Sequence, residues 1–223
     1  MVFQGGSVKL IFIRFAFFIA TFSISNFSIS QESSEFQNKC SVTLEGDSIM
    51  WGGFIPGPRL PEPPVAILKR LRPSYTVVDN SVISSTAAQR AKKFAEIPRT
   101  TKFVVLQHGI NDALTGSDLA THLYEMAEIS KREGRIPIIT GLTHQIRKIR
   151  KRNYYDLIAR QVAIASKSLF ADWGTVRYRP EDMADEMHPG QAYADRLVER
   201  LVVVLDQAAP ECISQPRGAE KAS

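Results

Sequence analysis

Two cysteines in 223 residues exclude two architectures at the outset. The chain is neither a small scaffold stapled by several disulfides nor a four-cysteine zinc protein. Histidine is almost as scarce. Neither His108 nor His144 pairs with a cysteine or an acid at metal-ligand spacing, so no metal is expected, and nothing calls for a cofactor. No internal repeat is visible, and no linker is long enough to divide the chain. Hydrophobic residues, by contrast, make up 44% of the sequence. That is enough for one full core and argues against global disorder.

The charge balance needs correcting before it is used. Lysine and arginine number 28 against 23 acids, a net +5, which at first suggests nucleic acid or an anionic surface. The first thirty residues contribute Lys9 and Arg14 and no acid, followed by the apolar run Phe15–Phe22 and the small residues Ser28 and Ser30. The run is short for a bilayer crossing but has the layout of an export signal, cleaved or retained as an anchor. Residues 1–30 are therefore assigned to a signal peptide and 31–223 to one domain, secreted or periplasmic. Without the signal the formal charge is +3, and with no reader motif nucleic-acid binding is not expected. Membrane association is expected only through a retained signal, and nothing indicates an oligomeric state. Cys40 follows Gln37-Asn38-Lys39 rather than small apolar residues, so it is not a lipid-attachment site.

Beyond Cys40, apolar runs alternate with amphipathic stretches. Strands are expected at 41–45, 75–78, 103–106, 136–140 and 169–171. Helices are expected at 64–71, at 86–97 with Thr86 as N-cap, from Ser117-Asp118 to a last turn holding Lys131 and Arg132 with Gly134 as the stop, at 152–166 and at 189–207. Alternation with strands apolar throughout predicts an α/β fold: a parallel sheet with helices on both faces. The five prolines between Pro56 and Pro64 make a stiff loop after the first strand, placed to shape a cleft.

Three short motifs fall where such a sheet carries its chemistry. Gly46-Asp47-Ser48-Ile49 follows the first strand, Gly109-Ile110-Asn111-Asp112 the third, and Asp185-Glu186-Met187-His188 precedes Pro189 and the last helix. A serine hydroxyl needs a base within hydrogen-bond reach, and His188 is the natural one. Asp185 can fold back onto the other imidazole nitrogen and fix its tautomer. Pro189 suits a first helical turn, which would hold His188 at a rigid helix start. The Asn111 amide and the Ser48 backbone N–H can serve an oxyanion.

In this order and spacing the motifs resemble the SGNH (GDSL-type) hydrolases, over roughly Val42–Leu205. The resemblance implies a flavodoxin-like three-layer sandwich, with a sheet of about five parallel strands in order 2-1-3-4-5. It also implies metal-free ester or thioester hydrolysis. It makes Ser48 the nucleophile, His188 the base, Asp185 its orienting acid and Asn111 an oxyanion donor. The second block departs from the family. A glycine usually supplies an oxyanion N–H after the second strand, and aligning Thr86 with the family's threonine puts Ser84 there. Ser85 takes the position after a one-residue shift. A backbone N–H survives the exchange, but the freedom of a glycine φ does not.

The remaining features have a quieter reading beside a functional one. Arg147, Lys148, Arg150, Lys151 and Arg152 read first as a solvated loop and helix start. The alternative is a patch for an acidic acyl carrier, a phospholipid head group or a uronic-acid polymer. His108 and His144 are expected to hydrogen-bond locally, and Trp51 either lines an acyl pocket or anchors a loop. Cys40 and Cys212 flank the first strand and last helix, which meet at the amino end of a doubly wound sheet, so a Cys40–Cys212 disulfide is expected. The function implied is an exported serine esterase acting on a small-molecule, glycan or lipid ester. An O-acyltransferase on carbohydrate with the same triad, or a non-catalytic binding domain, is the alternative.

Overall fold

A computed structural model describes residues 39–53 and 57–213. The expected signal peptide and Pro56 of the proline-rich loop lie outside them. Five strands, β1 (Ser41–Gly46), β2 (Thr76–Asp79), β3 (Phe103–Gln107), β4 (Ile136–Thr140) and β5 (Leu169–Ala171), form one sheet in the order β2-β1-β3-β4-β5. Every pairing is parallel: Val42 lies beside Val77 on one side and Phe103 on the other, and Ile138 lies between Val105 and Leu169. Helices α1 (Ser48–Trp51), α2 (Pro64–Leu71), α3 (Ala87–Glu96), α4 (Ile110–Thr115), α5 (Leu119–Arg132), α6 (Arg152–Ala165) and α7 (Gln191–Ala208) surround it. Helix α2 packs on α7, while α3, α5 and α6 pack side by side. This is the expected sandwich.

Local chemistry explains the boundaries. Strands β1 and β3 are buried from end to end, because helices cover both faces and no polar face is needed. Thr86 caps α3 through a capping box with Gln89, in line with its place in the sequence. Asp118 caps α5 by accepting from the Thr121 N–H. Helices α1 and α4 leave no mark in the sequence pattern because four and six residues show no periodicity.

The last helix requires a correction. It starts at Gln191, with Gly190 as N-cap, so Pro189 is not in its first turn. Pro189 instead pairs antiparallel with Met183. The Gly190 N–H donates to Asp182 O at 2.8 Å, which closes residues 183–189 into a loop of their own.

Cys40 and Cys212 form the expected disulfide, buried, with Cα atoms 5.5 Å apart. It joins the start of β1 to the turn after α7, at the amino end of the sheet.

Candidate active site

Ser48 stands at the start of α1, immediately after β1. Asp47 caps this short helix, accepting the Ile49 N–H on Oδ1 at 2.9 Å. The Gln107 side chain accepts the N–H groups of both Asp47 and Met50 at 3.2 Å. The turn is this tight because residue 46 lacks a side chain. A Cβ on Gly46 would lie 2.5 Å from Met50 Cβ and 2.7 Å from Gln107 Oε1. Burial pushes the Asp47 carboxyl up to about 7, against the downward pull of the Ile49 N–H and the Gln107 side chain.

His188 is set by its own turn. Asp185 Oδ1 accepts the N–H groups of Met187 at 2.6 Å and His188 at 2.8 Å, and the Ala184 N–H donates back to His188 O at 2.9 Å. The same carboxylate lies 2.9 Å from His188 Nδ1. Burial raises the Asp185 pKa, but those two N–H groups and the imidazole outweigh it and hold the carboxyl below its ordinary range. An ionised carboxylate at Nδ1 selects the tautomer with its proton there, which leaves Nε2 as an acceptor. Ser48 Oγ lies 3.0 Å from that Nε2, and Ser48 is 8% exposed. Ser48, His188 and Asp185, spread over 140 positions, thus form one hydrogen-bonded line.

No protein-family model and no curated protein matches the sequence. Solved structures do match the fold. A protein from Desulfitobacterium hafniense placed in the G-D-S-L lipolytic family superposes with a TM-score of 0.63 at 20% identity, over 74% of this chain and 99% of its own. For TesA the values are 0.60 and 26%, over 75% and 98%. For Est24, a carbohydrate acetylesterase from Sinorhizobium meliloti, they are 0.61 and 15%, over 77% and 99%. The chain has the SGNH (GDSL-type) hydrolase fold. Gly46-Asp47-Ser48-Ile49 follows β1, Gly109-Ile110-Asn111-Asp112 follows β3, and Asp185 and His188 lie in the loop before α7.

Within this SGNH fold the second block is the informative one. The chain after β2 stays beside β1, with the Val82 N–H donating to Gly46 O at 2.8 Å. Ser84 then adopts φ 59°, the left-handed conformation that glycine takes without penalty. Its N–H has no partner among the described residues, and neither does that of Ser48. The Ser85 N–H is already engaged with Val82 O at 3.3 Å. Of the two serines, Ser84 has both the glycine-like backbone and the free donor. The Asn111 amide reaches into the same corner, donating to Ser85 O at 3.0 Å and, at 3.4 Å, to Asp47 Oδ2.

Other residues sort themselves by contact. Trp51 is a loop anchor: the Arg59 guanidinium lies 4.7 Å from its ring, and Arg59 Nε donates to Trp51 O at 2.8 Å. The described part of the proline-rich loop is also tied to the start of α7 by two bonds between Glu62 and Gln191. His144 Nε2 lies 2.9 Å from Gly174 O, a partner thirty positions away rather than a local one. His108, also expected to bond locally, is fully buried with neither ring nitrogen bonded to a described residue, and burial, with the Arg90 charge adding, pushes its pKa down to about 3. Arg152 of the basic run is internal, donating to the carbonyls of Thr143 and Leu142. Gln107 is a site residue that sequence reasoning misses. Its only signal is a polar residue closing the apolar run FVVLQ.

Proposed function

We propose that the protein is an exported serine esterase that hydrolyses carboxylic or thioesters through an acyl-enzyme on Ser48. The Ser48–His188–Asp185 line carries this reading. With the imidazole proton on Nδ1 facing Asp185, Nε2, 3.0 Å from Ser48 Oγ, is the atom that would accept the serine proton. In the first half-reaction Ser48 Oγ bonds to the ester carbonyl carbon as its proton passes to His188. The oxyanion is met by the N–H groups of Ser48 and Ser84 and the Asn111 amide, whose long bond to Asp47 is the one it gives up. The intermediate collapses, and His188 returns the proton to the departing alkoxide or thiolate. Water then repeats the sequence on the acyl-enzyme and releases the acid. Asp185 stabilises the imidazolium in both halves and stays ionised.

Support for ester chemistry comes from neighbours that include an acetylesterase and a G-D-S-L lipolytic protein. Support for export comes from the 1–30 segment, and a disulfide suits an oxidising compartment. A p-nitrophenyl ester series from acetate to palmitate, with Ser48→Ala alongside, tests the chemistry. Wild type should turn over at least one chain length, and Ser48→Ala should lose about 10⁴-fold or more in kcat. A fluorophosphonate should label wild type only. Equal turnover by the two proteins excludes Ser48 as nucleophile.

A further inference from the structure

Helix α6 differs from the other helices of eight or more residues among those described. Its exposed residues are Asn153, Tyr154, Leu157, Gln161, Ile164 and Ala165, with no charge among them, and the partly exposed Arg160 at their edge is paired with Asp172. The exposed faces of α2, α3, α5 and α7 all carry lysine, arginine or glutamate. Tyr154, Leu157 and Ile164 are 61%, 50% and 65% exposed, an apolar face that costs solvation unless something covers it. A shallow groove of about 330 Å³ runs along this face, floored by Ile158 and walled by Ala120 of α5.

Cations bracket the face. Arg147, Lys148, Arg150 and Lys151 are exposed at its amino end, beside the half-exposed Ile146, and Lys167 is exposed at its carboxyl end. None of the five forms an ion pair among the described residues. The basic loop also touches the active site, because the Arg147 N–H donates at 2.9 Å to Glu186 O, inside the turn that holds Asp185 and His188.

We propose that this face docks on an anionic lipid surface, with α6 lying in the interface and the basic loop on the head groups. An uncharged helix face flanked by unpaired cations matches the two layers of such a surface, apolar chains below and negative charge at the boundary. An acidic glycan would satisfy the cations and leave Tyr154, Leu157 and Ile164 wet. Docking itself does not depend on the ester chemistry. Joined to that reading, the Arg147–Glu186 bond ties the docked loop to the turn that holds His188 and points to an ester-bearing lipid as substrate class.

The test uses the full chain with Ser48→Ala, so that lipid is bound and not consumed. Because Cys40 and Cys212 are joined, a bimane label goes to a single introduced thiol, at Gln161→Cys on α6 or at Val203→Cys on α7 as control. The probes are phosphatidylcholine vesicles with and without phosphatidylglycerol. The Gln161 label should shift to the blue with phosphatidylglycerol only, and the Val203 label with neither. Exchanging Arg147, Lys148, Arg150 and Lys151 together for glutamine should reduce the bound fraction about tenfold or more, as should high salt. Leu157→Gln with Ile164→Gln should weaken binding at unchanged charge. Equal binding to both vesicles, an equal shift at Val203, or capture of polygalacturonate or an acidic protein with the vesicles ignored would overturn the proposal. If Ser48 proves not to be the nucleophile while the Gln161 label still shifts, only the ester reading fails.

Discussion

The two ends of the sheet are built on different principles. At the amino end the chain is clasped covalently by Cys40–Cys212, and the Ser74 hydroxyl donates to the Cys212 carbonyl. Arg72 pairs with Asp206 and Arg99 with Glu133 nearby. At the carboxyl end no covalent bond holds the described residues together. Ser48, Asn111 and His188 are positioned by side chains accepting or donating to backbone groups, and Ser84 sits in a conformation that a side chain disfavours. A clasp tolerates no adjustment. A hydrogen-bond network can yield one bond to an incoming oxyanion and take it back.

If that contrast is right, the two ends separate stability from catalysis. The largest effect is expected from Cys40→Ser with Cys212→Ser. Opening a loop of 172 residues costs up to about 5 kcal/mol in the chain-entropy limit. Denaturant unfolding should show the loss while kcat/KM at a permissive temperature stays near wild type. A large fall in kcat would mean that the ends are coupled. Next is Asn111→Ala, expected to lower kcat by about 10²–10³ with KM little changed, as for one oxyanion donor. A change confined to KM would move Asn111 from the oxyanion to ground-state binding.

The third expectation concerns pH. Asp47 is raised from 3.8 to about 7 by burial, so the folded protein holds this proton more tightly than the unfolded chain. That contribution to stability is present below the unfolded value and is lost as pH rises towards 7. The difference in Tm between Asp47→Asn and wild type should therefore move in favour of the asparagine from about pH 4 to about pH 7, then level off. A constant difference would mean that Asp47 is ionised throughout. The smallest effect is expected from Ser84→Gly. Relieving a positive φ should stabilise by about 1 kcal/mol or less, and kcat should hold because the donor is a backbone N–H. Ser85→Gly should show no such gain.

Much of the fold is legible in the order of the amino acids. The five strands, the capping of α3 by Thr86 and of α5 by Asp118, and the disulfide all follow from local pattern plus the rule that parallel strands return through helices. The start of the last helix is not legible, because Pro189 suits both a first helical turn and the strand-like bridge it makes with Met183. The lack of a local partner for His108 is hidden too, because its burial depends on every layer around it. Gln107 escapes notice because its partners, Asp47 and Met50, lie about sixty positions away.

By itself, then, the sequence determined the α/β alternation and which residue types stand at each strand end, since these depend on periodicity and capping within a few residues. Only the tertiary structure decided three things. It brought Ser48 Oγ to 3.0 Å from His188 Nε2, it gave Ser84 rather than Ser85 a positive φ, and it left Tyr154, Leu157 and Ile164 of α6 exposed. Each of these depends on how separate segments pack, and packing is settled by the burial of the whole chain at once.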